Sequence, residues 1–350
     1  MTEYLSFPGL GIGRFHIDRI AFTVFGKGVA WYGILITIGM IIAIFIATRL
    51  AKKEKISSDT IFDLALSIII FGVIGARLYY VAFTWSDGGY LVTDGTFWHN
   101  LGHTLLNIIA MWEGGMAIHG GIIAGVIVAA VFSKVKKIPF LKICDLLVPC
   151  VLIGQIIGRW GNFINVEVYG RETESFLRMG ITEMTSAGTV ISERFVHPTF
   201  LYESLWNLLI FVLVLVFYKK KKFDGTWFCV YLIAYGAARA YLETLRDEQY
   251  NLMIGPFKVS VLVGILMLVA GLAFFVILYS RYKARKLAGD YKPMFGDETP
   301  SGDVPVPDVT EVTSAGSDEA SSAHDDVSAD EKEPYDDGPN LTEESDGKDN

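Results

Sequence analysis

Only three cysteines occur in the 350 residues, at 144, 150 and 229, and none forms a CxxC pair or lies beside a histidine cluster. Each sits in an apolar run and reads as a small buried side chain, which leaves no disulfide framework, thiolate metal site or nucleophilic cysteine. The chain also lacks HExxH, GxSxG and GxxxxGK[ST], and no acidic pair is spaced for a metal. Nor is there an inverted or parallel internal repeat of the kind found in many secondary transporters. At the start, "MTEYLSFPGLGIGRFHIDRIAF" has no short apolar core after basic residues, so no cleaved signal peptide is expected. Its Gly, Pro and mixed charge suggest an irregular or interfacial segment. Charge itself is scarce: 19% of residues are charged, against 52% hydrophobic and 13% aromatic. That balance exceeds the apolar share of a soluble globular domain and points to a membrane protein.

The formal charge of -8 averages two unlike regions. Residues 287–350 hold 19 acidic residues against three lysines, so residues 1–286 carry a net charge of +8. Few apolar side chains interrupt "SDEASSAHDDVSADEKEPYDDGPN", and such a composition cannot bury enough surface to offset ordering entropy. The expected organisation is a membrane-embedded domain over 1–286 and a disordered acidic tail over 287–350.

A spanning helix needs about 20 apolar residues. That window predicts seven spans: Trp31 to Leu50, Thr60 to Phe83, Gly114 to Phe132, Cys144 to Trp160, Thr199 to Tyr218, Trp227 to Leu245 and Val259 to Ser280. Phe97 to Met111 is shorter and is interrupted by His99, His103 and Asn107, which suits an interfacial or re-entrant segment. Lysine and arginine gather after the first, third, fifth and last spans, in "RLAKKEK", "SKVKK", "YKKKK" and "RYKARK". Such junctions face the cytoplasm, which puts the N-terminus outside and the tail inside. The fold class expected is therefore an all-α polytopic membrane protein of seven transmembrane helices. A periplasmic or extracellular head is inserted at about 162–197, where the loop is too long to be a bare connection.

Ionisable and amide side chains are costly in such spans unless partnered. Arg77, in "GVIGARLYY", either snorkels or holds a helix interface, or serves a site. His119, in "WEGGMAIHGG", is flanked by Gly114, Gly115, Gly120 and Gly121, which allow another backbone or a substrate to approach. Imidazole moves protons near neutral pH, so His119 reads as either a base or a packing residue. "GRWGNFINVEVYG" gathers Arg159, Asn162, Asn165 and Glu167 at the outer end of the fourth span. A guanidinium fork suits phosphate oxygens and an amide suits hydroxyls and esters, while the structural reading pairs Arg159 with Glu167. In "YGAARAYLETLRDE", Tyr235, Arg239, Glu243 and Arg246 fall within an arc of roughly 80°, so one face of a helix carries all four. Pairing Arg239 with Glu243 then leaves Arg246 free for an anion. Asp145 reads as a helix-start or ion-pair residue. "HPTFLYE" adds His197, Tyr202 and Glu203 at a span entrance, and Tyr32 fits an aromatic belt equally well.

Taken in order, "GARLYY", "GGMAIHGG", "GRWGNFINVEVYG", "HPTFLYE" and "YGAARAYLETLR" resemble the sequence blocks of bacterial prolipoprotein diacylglyceryl transferases, from about Tyr32 through the seventh span. The resemblance implies an integral plasma-membrane enzyme that moves the diacylglyceryl group of phosphatidylglycerol onto the lipobox cysteine of a preprolipoprotein signal peptide and releases glycerol phosphate. It implies His119, Tyr235 and Arg246 as catalytic residues. Arg159, Asn162, Arg239, Glu167 and Tyr32 would bind the lipid headgroup, with Glu243, Arg77, Asn165 and Gly170 in support. The proton acceptor would be His119, or Tyr235 if coupled to a charge. No metal, cofactor or nucleic-acid partner is expected, and the partners are the two substrates and the lipid bilayer. A multi-pass transporter or binding protein for an anionic lipid or solute is the alternative.

Overall fold

In the computed structural model the described residues are 2–86, 90–91, 95–110, 114–247, 253–254 and 257–290. The chain divides into two units, Met1–Asp297 and Glu298–Asn350, and every described residue belongs to the first. From residue 291 onward the expected acidic tail lies outside the described residues.

The chain is mostly helical: α1 (Trp31–Lys53), α2 (Ser58–Phe83), α3 (Phe97–Ile109), α4 (Ile118–Lys136), α5 (Phe140–Ile164), α6 (Thr199–Phe217), α7 (Thr226–Leu242) and α8 (Val259–Leu287). Six of these, all but α3 and α7, are long and apolar enough to cross a membrane. Their outward faces carry exposed Phe45, Phe71, Ile123, Leu213 and Leu266, the pattern of helices whose solvent is hydrocarbon. The seventh expected span, Trp227 to Leu245, is met by a shorter α7 followed by a 3-10 turn, Glu243–Leu245. α3 is 13 residues long with no buried side chain, in keeping with an interfacial segment.

Strands correct the expectation of an all-α chain. Four of them, β1 (Thr2–Phe7), β2 (Ile12–Phe15), β5 (Met179–Met184) and β6 (Val190–Val196), form one antiparallel sheet in the order β2-β1-β5-β6. Two hairpins, β3 (Ile20–Val24) with β4 (Lys27–Ala30) and β7 (Met253–Ile254) with β8 (Phe257–Lys258), complete the inventory of described strands. The β5–β6 hairpin, within the segment expected to form a head, therefore shares its sheet with the N-terminal segment expected to be irregular. β6 buries its last residue, Val196, and β1 turns Leu5 and Phe7 onto Tyr169, Met179, Ile181, Val196 and Phe200. This cluster seats the sheet on the first turn of α6.

At the opposite end, three short connections join α1 to α2, α4 to α5 and α6 to α7. A buried ion cluster ties two of them to α5. Lys221 Nζ lies 2.6 Å from Glu54, 3.3 Å from Asp145 and 3.2 Å from Asp224. Burial pushes its ammonium down, but the three carboxylates outweigh that and hold it above its ordinary value. Asp145 also accepts hydrogen bonds from the backbone N–H groups of Gly225 (2.9 Å) and Phe228 (3.0 Å), so it caps the start of α7 as well as pairing an ion.

α2 packs on α4, α1 on α5, α5 on α6 and α7 on α8. The α2–α4 crossing explains the glycine that follows His119. A Cβ at Gly120 would stand 2.3 Å from the Gly75 carbonyl oxygen and 2.4 Å from Tyr79 Cβ, so only glycine lets the helices touch here. The neighbour that approaches is thus another backbone.

Candidate active site

Glu203, in the first turns of α6, is the centre of the polar cluster. Its carboxylate is 2.6 Å from Arg159 on α5, 3.3 Å from Arg239 on α7 and 2.8 Å from Arg246 just beyond the 3-10 turn. Glu243 adds a second carboxylate, 3.3 Å from Arg239 and 3.2 Å from Arg246. Three guanidiniums thus share two buried carboxylates, and one positive charge remains over. Arg159 and Arg239 keep 17% and 18% of their side chains exposed, whereas Arg246 keeps 6%. An incoming anion can therefore meet the first two more readily than the third.

That arrangement corrects two expectations. Arg246 is not free: α7 stops at Leu242, and the chain then turns through Glu243–Leu245 and delivers Arg246 in extended conformation back onto Glu203 and Glu243. The single-face argument assumed a helix that continued. Arg159 does not pair with Glu167 either. Glu167 Oε1 accepts from the amides of Asn162 (2.9 Å) and Asn165 (3.3 Å), while Asn162 Oδ1 takes a long 3.5 Å contact from Arg159.

Backbone strain accompanies this loop. Val166 and Val168 lie at φ 53° and 59°, a left-handed region that β-branched residues avoid. Thr199 holds the Val168 carbonyl with a 2.7 Å hydrogen bond, and the Glu167 N–H donates to the Asn162 carbonyl at 3.0 Å. Gly170 follows, where its N–H donates to the His197 carbonyl and it bridges to Arg246. A Cβ there would stand 2.6 Å from His197 Cβ and 2.7 Å from the Leu245 carbonyl oxygen. Glycine at 170 thus lets the loop after α5, the segment between β6 and α6, and the Arg246 segment cross at one point. His197 borders this crossing with Tyr202 Oη 3.3 Å away, and burial together with the charge of Arg171 holds its imidazole below the ordinary value.

The remaining expected residues fall into two groups. Tyr235 is one turn before Arg239, stacks on Tyr231 (5.3 Å between centroids) and lines a pocket with Glu203 and Arg239. Tyr32, 38% exposed, lays its ring against Gly161. His119 and Arg77 belong to the α2–α4 pair instead. The expected third span places His119 well inside the helix, yet α4 begins at Ile118, so His119 is in its exposed first turn. Its ring lies 6.1 Å from that of Tyr79, and no hydrogen bond or ion pair engages it among the described residues. Buried Arg77 donates to the carbonyls of Asn107 (2.8 Å), Ile108 (2.8 Å), Gly114 (2.7 Å) and Gly115 (3.0 Å). It fastens the end of α3 and the approach to His119, which is the structural reading of that residue.

Glu203 is the member that sequence reasoning left at a span entrance. The signal was present as an imbalance: two arginines against one carboxylate in "YGAARAYLETLRDE" called for another acid from elsewhere. Among the described residues, no group of three or more His, Cys, Asp and Glu side chains is placed to hold a metal ion.

Residues 19–277 match the family model described as prolipoprotein diacylglyceryl transferase. The chain is similar to proteins named phosphatidylglycerol-prolipoprotein diacylglyceryl transferase in several bacteria. That of Finegoldia magna is 44% identical over 277 residues, 79% of this chain and 100% of the relative. Those of Clostridioides difficile and Nostoc sp. are 37% and 36% identical, over 76% and 72% of this chain and 98% and 86% of their own lengths.

Proposed function

Because the chain belongs to the prolipoprotein diacylglyceryl transferase family, we propose that it transfers the diacylglyceryl group of phosphatidylglycerol to the lipobox cysteine of a preprolipoprotein in the bacterial plasma membrane. The observation that carries this reading at the level of chemistry is the gathering of Arg159, Arg239 and Arg246 around Glu203, with one cationic charge in excess. A phosphodiester headgroup supplies the missing negative charge.

In the reaction the cysteine thiol loses its proton and the thiolate attacks the glyceryl carbon that bears the phosphate ester. The C–S bond forms as the C–O bond breaks, and the electron pair leaves with glycerol phosphate. Negative charge builds on the departing phosphate, where Arg159 and Arg239 meet it; such fixed donors strengthen as the charge develops. Glu203 and Glu243 hold the guanidiniums in register, and Arg246 acts through them. Asn162, aligned by Glu167, binds the headgroup hydroxyls, with Tyr32 beside it. His119 takes the thiol proton. A neutral imidazole carries a lone-pair nitrogen that accepts a proton directly, which makes it the side chain suited to the step. The exposure of His119 and its lack of a hydrogen-bond partner among the described residues leave its ring open to an arriving peptide.

The same reading places seven spans in the membrane, α7 included, with the N-terminus and head outside and the acidic tail over 287–350 in the cytoplasm. The test is a reconstituted assay with phosphatidylglycerol and a lipobox peptide, following peptide mass and released glycerol phosphate. Diacylglyceryl addition with equimolar release supports the transferase. Lipid binding without peptide modification would instead favour a transporter or lipid-binding protein.

A further inference from the structure

We propose that Asn207 is a further lipid-binding residue, whose Nδ2 donates a hydrogen bond to an ester carbonyl of the diacylglyceryl group; the inference rests on the transferase reading above. Asn207 lies on α6 one turn beyond Glu203, about 6 Å further from the arginine-bearing end of the helix. Its side chain is 1% exposed, and Nδ2 has no acceptor among the described residues. An amide donor sealed from water without a partner is rare in a folded protein, because nothing offsets its desolvation.

The donor borders a pocket between α6 and α7. Glu203, Arg239 and Tyr235 form one part of its wall, and Trp206, Ala238 and Leu242 form the apolar part. The void is about 10 Å³, close to the room that one water-sized group takes up, which is also the size of a carbonyl oxygen. Trp206 is 39% exposed, so the pocket edge reaches the apolar surface of the molecule. The wall thus presents a cationic group and, one turn further along α6, a lone amide donor, with apolar side chains beside both. A diacyl phospholipid carries the complement: an anionic phosphate, ester carbonyls that only accept hydrogen bonds, and acyl chains. An ether-linked lipid has the same shape but lacks the carbonyl, so it leaves the Asn207 donor unpaired.

The experiment compares diester and diether phosphatidylglycerol of equal chain length, in peptide modification and in thermal stabilisation of the purified full chain. For the wild type, kcat/KM should favour the diester lipid by roughly threefold to tenfold, mainly through KM, as one neutral hydrogen bond supplies. Asn207→Leu should bring the diester value down to the diether value and leave the diether value unchanged, while Asn207→Ser, which keeps a donor, should retain part of the preference. Equal use of both lipids by the wild type would overturn the proposal. So would an equal loss on both lipids in Asn207→Leu, the outcome if the amide binds water or only packs. Should Asn207→Leu not fold, the wild-type lipid pair and Asn207→Ser still decide. If neither lipid modifies the peptide, the transferase reading fails by itself, and preferential stabilisation by the diester still reports the ester contact.

Discussion

Glu203 meets three guanidiniums at once, and that shared position separates the effects of removing it from those of removing one arginine. Glu203→Gln leaves Arg239 and Arg246 facing only Glu243, and takes from Arg159 its one carboxylate partner among the described residues. Breaking buried pairs this way costs about 3 to 5 kcal/mol, so thermal unfolding in detergent should fall together with turnover. Arg159→Ala leaves Glu203 paired with Arg239 and Arg246, so its structural cost is small; it should lower kcat about 100-fold to 1,000-fold while Tm stays within a few degrees. Near-normal turnover in purified Arg159→Ala would remove that residue from the phosphate site. His119→Ala tests the proton step differently. Loss of a general base costs about 100-fold to 10,000-fold, and the residual rate should then climb with pH toward about 8.5 as the peptide thiol ionises unaided. A variant that keeps both wild-type rate and wild-type pH profile would return His119 to a packing role. Arg159, Asn162, Glu167 and Gly170 were legible in sequence as a cluster because they lie within twelve residues. The hub was not: Glu203 is 44 positions from Arg159 in sequence, and only packing of α5, α6 and α7 makes it the shared carboxylate.

At the scale of elements, the apolar windows found the long helices because lipid selects for length and hydropathy, which sequence shows directly. Windows of that kind are blind to strands. β1 and β5 lie 177 residues apart at Thr2 and Met179, and their pairing is a long-range event that local pattern does not announce. The start of α4 was also misplaced, since Gly114 and Gly115 are apolar by composition but adopt φ 88° and 70°, outside any right-handed helix. Two packing devices carry predictions of their own. Among the described residues, Lys221→Met leaves Asp145 without a cation and Glu54 with only Lys142, 3.4 Å away, in a site where both carboxylates are almost fully buried. Unfolding should shift by about 3 to 5 kcal/mol, while turnover per folded molecule stays near wild type, because the cluster lies at the opposite end of the helices from the arginines. Gly120→Val pushes a branched side chain into the Gly75 backbone and Tyr79. It should separate α2 from α4 and so displace His119, lowering kcat by about tenfold or more in protein that still folds. A fully active Gly120→Val would show that the α2–α4 crossing does not position the proton acceptor.

For the whole molecule, the question is whether α7 completes a seventh crossing. Its 17 residues rise roughly 25 Å, and the three-residue 3-10 turn that follows adds about 6 Å, which together match the roughly 30 Å of a bilayer core. The apolar window takes both pieces as one span, whereas α7 by itself, at 17 residues, is shorter than each of the six long apolar helices. Strand pairing supplies an independent constraint. β1 joins β5 in one sheet, so the N-terminal segment and the 179–196 hairpin must lie on the same side of the membrane. An odd number of crossings then puts the segment after α8 on the other side, and an even number returns it to the side of the head. Single cysteines introduced at exposed Ser186 in the head and at Ser301 in the tail distinguish the two, since the native thiols at 144, 150 and 229 are buried or partly buried. In spheroplasts a membrane-impermeant maleimide should label Ser186→Cys at once and Ser301→Cys only after lysis. Labelling of both sites from outside would mean that α7 does not cross. The basic junctions after α1, α4, α6 and α8 would then no longer share the cytoplasmic face that their charge requires.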